Sequence, residues 1–535
     1  MKLSPKKRAF LAGALLLACT GFLCRILGFF YRIYLSRTIG AEGLGLYNMV
    51  HPVFGICFAL CAGSIQTAVS QCVAANMKKG RTIFLSGAAA ALSISVFLAV
   101  LIWRSADLLA ARILMEERCA PLLPYIALSI PCSAVHACIN GYYYGMQKTK
   151  VPAFSQVAEQ LVRMGIVFLI ADIMTGRGMT LTVQLAVIGH LAGEAASCLF
   201  TLLAVCLFQP GRSVPEPGSD PARPDDPAVF GADPRSESPQ DHPWQDAFLP
   251  LMAAAFPLMG TRLVLNLLAS TEAIWIPERL RAFGFSPSDA LSVYGVLTGM
   301  ALPFILFPSA ITNSIAVLLL PAVARAQSEG NRRQISSTIS ASIRYSLYMG
   351  ILCIGVFTLY GSDLGSTVFH NGNAGDFIVI LAWLCPFLYL STTTGSILNG
   401  LGKNTTTFLQ NTAAMLLRLG FVFFGIPRYG MAALLWGMLA SELFLALLHL
   451  YSLEKLAPFS WNAWNMIVKP AFFLAVSIGI TRFFTAWEIT GAIFSRLHGF
   501  LSICLQSLIL SACYGGLLLS FHRNRTGRCI PAKKT

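Results

Sequence analysis

Residues 83–103 read IFLSGAAAALSISVFLAVLIW, twenty-one positions without a charge. As a helix such a run covers about 30 Å, the hydrocarbon thickness of a bilayer. It lacks the two-residue alternation of a membrane barrel strand. In lipid the backbone must satisfy its own polar groups, so the run reads as a transmembrane helix. Comparable runs recur along the 535 residues, which are 56% hydrophobic and only 12% charged, with a mean hydropathy of +0.66. A soluble domain carries about 25% charged residues. The sequence therefore predicts an all-α polytopic membrane protein of about fourteen helices, at 9–36, 45–75, 83–103, 120–144, 153–173, 181–208, 247–276, 290–322, 337–360, 377–399, 405–425, 430–452, 464–485 and 499–521. The basic start (Lys2, Lys6, Lys7, Arg8) resembles a signal peptide, but the apolar pattern continues and is read as the first span.

Eleven of the twelve lysines fall in the tails or in even-numbered connections between these spans, and the twelfth, Lys469, lies near the start of the thirteenth span, next to the connection that holds Lys455. Positive charge is retained on the cytoplasmic side, so both termini are expected there. The net charge of +15 then reflects topology and contact with anionic phospholipids, not nucleic-acid binding. Residues 209–245 hold nine prolines, seven acids and three arginines and are expected to form a disordered cytoplasmic linker.

An internal repeat flanks that linker. GMQKTKVPAFSQVAEQLVRMGIVF from Gly145 mirrors GLGKNTTTFLQNTAAMLLRLGFVF from Gly400, a shift of 255 that carries Arg163 onto Arg418; a shift of 248 carries GHLAGE, ending at Glu194, onto GMLASE, ending at Glu442. Six spans separate the equivalents, so the halves are expected to be parallel repeats about an axis along the membrane normal. The expected organisation is a six-helix lobe at 1–208, the linker at 209–245, a second lobe at 246–455, an extra helix pair at 456–522 and a basic tail at 523–535.

Intramembrane charge points to function. Arg25 and Arg32 lie seven residues apart, about 20° around a helix, on one face with Phe29 and Ser36. Arg262, with Asn266 one turn on, holds the equivalent place in the second half. A guanidinium fork suits phosphate, so these residues are expected to face a shared cavity. Arg37 is read as reaching the interface. Gln66 and Asn313 either line the cavity or bond between helices. Glu194 with Arg163 and Glu442 with Arg418 are expected to be buried ion pairs, with H⁺ or Na⁺ coupling as the alternative; Glu159 and Glu272 are further candidates. Asn140-Gly141 and Asn399-Gly400 are expected to close helices, and His51 and His190 to pack. The fifteen cysteines include no CxxC pair and are read as core residues. No metal-ligand spacing, Walker loop or catalytic triad is evident, so no cofactor and no enzyme activity are expected.

The stretch Gly21–Ala75, GFLCRILGFFYRIYLSRTIGAEGLGLYNMVHPVFGICFALCAGSIQTAVSQCVAA, with NGYYYGMQK, NGLGKNT and the AVLLLPAVA segment Ala316–Ala324, resembles the multidrug/oligosaccharidyl-lipid/polysaccharide exporter superfamily. Within it the sequence is most similar to the stage V sporulation protein B and polysaccharide-export branch, related to lipid II flippases. The resemblance implies alternating-access flipping of a lipid-linked glycan, such as an undecaprenyl-pyrophosphate-linked precursor, across a bacterial cytoplasmic membrane. It also implies a cationic cavity to which Arg25 and Arg262 would contribute. A cation-coupled drug exporter of the same fold is the main alternative, and a membrane scaffold for envelope assembly is one of another class.

Overall fold

The computed structural model describes residues 5–208, 243–309, 311–312, 323, 326–459, 462–486 and 499–526. Among the described residues every regular element is helical. The expected linker falls outside them up to residue 242, as do the tail from 527 and the candidate Asn313.

The first helix, α1, runs Pro5–Phe58. At 1.5 Å per residue its 54 residues would span about 80 Å, far more than one bilayer. Gly40 divides it, with φ 71° and ψ −178°, a backbone region open to glycine. After a π-helical turn at Ala59–Gly63 come α2 (Ser64–Ala75), α3 (Gly80–Arg104), α4 (Leu123–Gly145), α5 (Lys150–Gly176) and α6 (Gln184–Phe208). These helices pack mainly on one another, α4 against α2, α3 and α6, and α5 between α1 and α6.

The chain continues with α7 (Pro243–Phe283), α8 (Pro287–Gly295), a π turn at Val296–Ala301 and a short helix Leu302–Leu306. Then follow α9 (Arg332–Phe369), α10 (Gly372–Leu381), α11 (Cys385–Gly400), α12 (Asn404–Gly420), α13 (Met431–Leu456), α14 (Lys469–Ala486) and α15 (Gly499–Thr526). Here α9 packs on α10 and α11, α13 on α11 and α12, and α14 with α15.

Three expectations need correction. Helix α7 begins at Pro243, inside the interval expected as linker, where proline suits a first helical turn. Helix α15 runs to Thr526, inside the expected tail. Helix α4 continues past Gly141 to Gly145, so Gly141 is a packing residue: a Cβ there would stand 2.5 Å from the Gln66 carbonyl oxygen.

Among the described residues, twelve helical stretches are long and apolar enough to cross a membrane. The difference from fourteen has two sources. Leu15–Ala75 is one stretch of 61 residues that contains the Gly40 break. Helix α5 has the length of a crossing, 27 residues, but carries Glu159, Arg163 and Asp172 and is not apolar enough to qualify.

Close backbone contact joins the two halves beside Gly40. A Cβ on Gly295 of α8 would stand 1.9 Å from the Ala41 carbonyl oxygen, and one on Gly45 would stand 2.3 Å from that of Leu291. The absence of side chains at both positions lets the two helices touch.

Candidate functional site

A cavity of about 740 Å³ opens between α1 and α7 and is completed by α8 and the short helix that follows it. Arg25, Phe29 and Arg32 line it from the first limb of α1, Asn48 and His51 from the second, and Asn266 from α7. The seven-residue spacing thus brings both arginines to one space. They are the only charged side chains among its described lining residues, and both are exposed to it. No acid lines the cavity among the described residues.

Arg32 Nη1 donates to the Thr298 carbonyl at 3.3 Å, and the Asn48 amide donates to Thr298 Oγ1 at 2.9 Å. Phe29 packs edge-on against Phe304, with ring centroids 4.7 Å apart. The Gly40 side of the cavity is therefore closed. Arg25 lies about 22 Å from Gly40 along the helix, on the other side.

Arg262 lies outside the lining and reaches toward α2. Its Nη2 donates to Thr67 Oγ1 at 2.9 Å, and its Nη1 is 2.5 Å from where a Cβ on Gly63 would be. Asn266 donates to the Arg262 carbonyl at 2.8 Å. Its Oδ1 lies 3.1 Å from the Cβ position of Gly55, so glycine there admits it. Gln66 is not among the lining residues; its backbone packs on Gly141. Arg37 donates to the carbonyls of Val368 at 2.7 Å and Thr367 at 3.1 Å, fastening α1 to the end of α9.

The charged pairs are richer than expected. Arg163 Nη2 stands 3.7 Å from Glu194, but its close partner is Glu159, one turn back on α5. Glu194 is instead engaged by His136 Nε2 at 2.8 Å. Arg418 stands 3.9 Å from Glu442, while Glu272 of α7 holds it at 2.8 Å. His136 was not singled out by sequence; its signal is its place in α4, 255 residues before Ser391, which donates to Glu442 at 3.1 Å.

A further network ties the halves together beside Gly40. Buried Glu116 accepts from Arg118 Nε at 2.6 Å and from Arg281 Nη2, on α7, at 2.5 Å. Arg118 also reaches Glu42 at 2.6 Å. Met115, with φ 54°, directs its carbonyl to Arg281 Nη1 at 3.1 Å. Burial pushes the Glu116 carboxyl up, but the two guanidiniums outweigh it and hold the group below the usual carboxylate range. A depressed carboxyl contributes stability above its unfolded pKa and loses it as pH falls through the folded value. Acidifying this face from about pH 7 to about pH 3 is therefore expected to loosen the contact in a thermal melt. Glu116→Gln is expected to lose about 2 kcal/mol at neutral pH and to flatten that dependence. An unchanged acid profile in the variant would show the contact to be inert.

The model of a family described as polysaccharide biosynthesis protein matches residues 10–282, just over half of the chain. Stage V sporulation protein B of Bacillus subtilis (strain 168) is 25% identical over 464 residues, 85% of each chain. Lipid II flippase MurJ of the same strain is 20% identical over 555 residues, 97% of each. In three dimensions the chain is similar to a lipid II flippase MurJ in an inward closed conformation, with a TM-score of 0.66 at 13% identity, over 94% of this chain and 100% of that one.

Proposed function

Since this chain belongs to the polysaccharide biosynthesis protein family, within the multidrug/oligosaccharidyl-lipid/polysaccharide exporter superfamily, we propose that it flips a lipid-linked, pyrophosphate-bearing glycan across a bacterial cell membrane. One observation carries the choice of cargo: the central cavity is lined by two arginines and no acid among the described residues. An exporter of cationic drugs needs the reverse. The relative that flips lipid II points the same way.

In this reading residues 1–208 and 246–455 are two lobes that rock about the α1–α8 contact. The termini are cytoplasmic, the lysine-poor Gly40 side is external, and the cavity shown is the inward-facing one. Arg25 and Arg32 receive the diphosphate, and Arg262 joins when cargo draws it from Thr67. The lipid tail stays in apolar surroundings. A second cavity of about 410 Å³ between α9 and α15, lined by Met349, Leu352 and Leu518, adjoins the first: Ser309 lines one, Ile311 and Thr312 the other. A pyrophosphate diester carries about two negative charges, so outward movement gains about 4–5 kcal/mol per 100 mV of inside-negative potential. No ATPase is required, and the chain acts as a transporter, not an enzyme.

Reconstitution into liposomes with fluorescent undecaprenyl-pyrophosphate-linked disaccharide tests this. The labelled lipid is expected to change leaflet faster than in empty vesicles, and faster still under an imposed potential. A rate equal to that of empty vesicles, beside active efflux of a cationic dye, would favour the exporter reading.

A further inference from the structure

The N-terminal helices enclose a group of ionisable side chains that the cargo cavity does not use. His136 of α4, Glu159 of α5 and Glu194 of α6 offer one ligand atom each, all within 4.8 Å of one another. Arg163 is bonded to Glu159 and lies 3.7 Å from Glu194. His136 and Glu194 are buried, at 8% and 5% exposure. With both carboxylates ionised and Arg163 charged, the cluster carries one uncompensated negative charge. An unbalanced charge in a low-dielectric interior is costly. One proton, taken up on the His136 ring beside Glu194, brings the sum to zero.

The comparison with the other half sharpens this. Around Arg418 the same count holds, with Glu272 and Glu442. There Ser391 donates to Glu442 at 3.1 Å where His136 meets Glu194 at 2.8 Å. A serine cannot titrate, whereas imidazole is the side chain whose ordinary range lies near neutrality. The imidazole near the second cluster, His449, meets the Ser391 carbonyl at 3.1 Å and not a carboxylate, so among the described residues only the N-terminal cluster sets an imidazole on a carboxylate.

It also has a route to the cavity. His190 lies one turn before Glu194 on α6, is 3% exposed, and neither ring nitrogen has a hydrogen-bond partner. Its ring centroid is 5.3 Å from that of His51, which lines the cavity. From α1, the surrounding titratable or charged groups are Cys24, Tyr31, Arg32 and Tyr47. From α4 and α6 they are Cys132 and Cys198. None of these supplies a third carboxylate.

We propose that the cluster of His136, Glu159, Arg163 and Glu194 is a one-proton site, loaded from the central cavity past His51 and His190, which couples the state of the N-terminal helices to proton supply. The guanidinium beside both carboxylates disfavours a divalent metal at the same place. The proposal concerns proton binding and stands apart from the identity of the cargo.

The test is infrared difference spectroscopy of the full chain, labelled with ¹⁵N-histidine, in lipid nanodiscs between about pH 5 and about pH 9. The wild type minus H136N difference is expected to hold a reversible, label-sensitive imidazole component, and that component is the wild-type signal; the other histidines, exposed His370 among them, cancel in the difference. Proton binding in E194Q is expected to weaken about tenfold or more, and E442Q is expected to match the wild type. Label-sensitive wild-type and H136N spectra that superimpose overturn the site. Erasure of the wild-type signal by saturating NaCl at fixed pH overturns the proton in favour of Na⁺. If H136N does not fold, E194Q decides: a signal unchanged from the wild type overturns the proposal.

Discussion

Replacing Arg25 and Arg32 together by alanine is expected to bring leaflet transfer of the labelled lipid down to the empty-vesicle rate, with the protein still inserting and folding. Both side chains reach one cavity that has no other charged lining residue among those described. A charge-assisted contact to phosphate contributes about 1.5–3 kcal/mol. Each single substitution should therefore slow transfer by about tenfold to a hundredfold, and the pair should erase it. Lysine at either position keeps the charge but loses the planar fork and should restore only part of the rate. Arg177→Ala, at the exposed end of α5, is the matched control. Wild-type transfer by the double variant would remove the diphosphate reading.

A methyl group at Gly295 is expected to have the second large effect, on conformation. A Cβ there would stand 1.9 Å from one backbone oxygen and 2.7 Å from the Gly45 nitrogen, neither of which can move without its helix. Overpacking of this kind costs about 1–3 kcal/mol, equivalent to a shift of about ten- to hundredfold between two states. Gly295→Ala should prise α1 from α8 and populate the form open on the Gly40 side. The measurement is alkylation by an impermeant maleimide of a cysteine placed at Asn48, which faces Thr298 across the closed contact. Labelling no faster than in the glycine parent would mean that this crossing does not gate access.

These two sites differ in how far the sequence revealed them. The arginines of α1 were legible because a seven-residue interval fixes a shared helix face and charge in an apolar run demands an explanation. The charge pairing was legible only in outline. Arg163 and Glu194 were matched through the repeat, but Glu272 reaches Arg418 only because α7 packs beside α12, a fact of tertiary arrangement. His136 escaped notice because an isolated histidine in an apolar helix has no periodic signature. Glu116 and Arg281 are 165 residues apart, and no local pattern joins them. The count of crossings shows the same division. Apolar length predicted α5 as the span at 153–173, but the partners that satisfy its charges are set by the helices packed beside it.

That last helix has a consequence for how the protein is made. Charged residues near the centre of a nascent span oppose its partition from the translocon by about 2.5–3.5 kcal/mol each. The bond between Glu159 and Arg163 within α5 relieves part of this, and His136 and Glu194 on the flanking helices complete the charge set. Stable integration of α5 thus waits on the synthesis of α6, so in an insertion assay a glycosylation tag placed just after Gly176 should stay on the cytoplasmic side and unmodified in a chain that ends there, and be modified in one extended through Phe208.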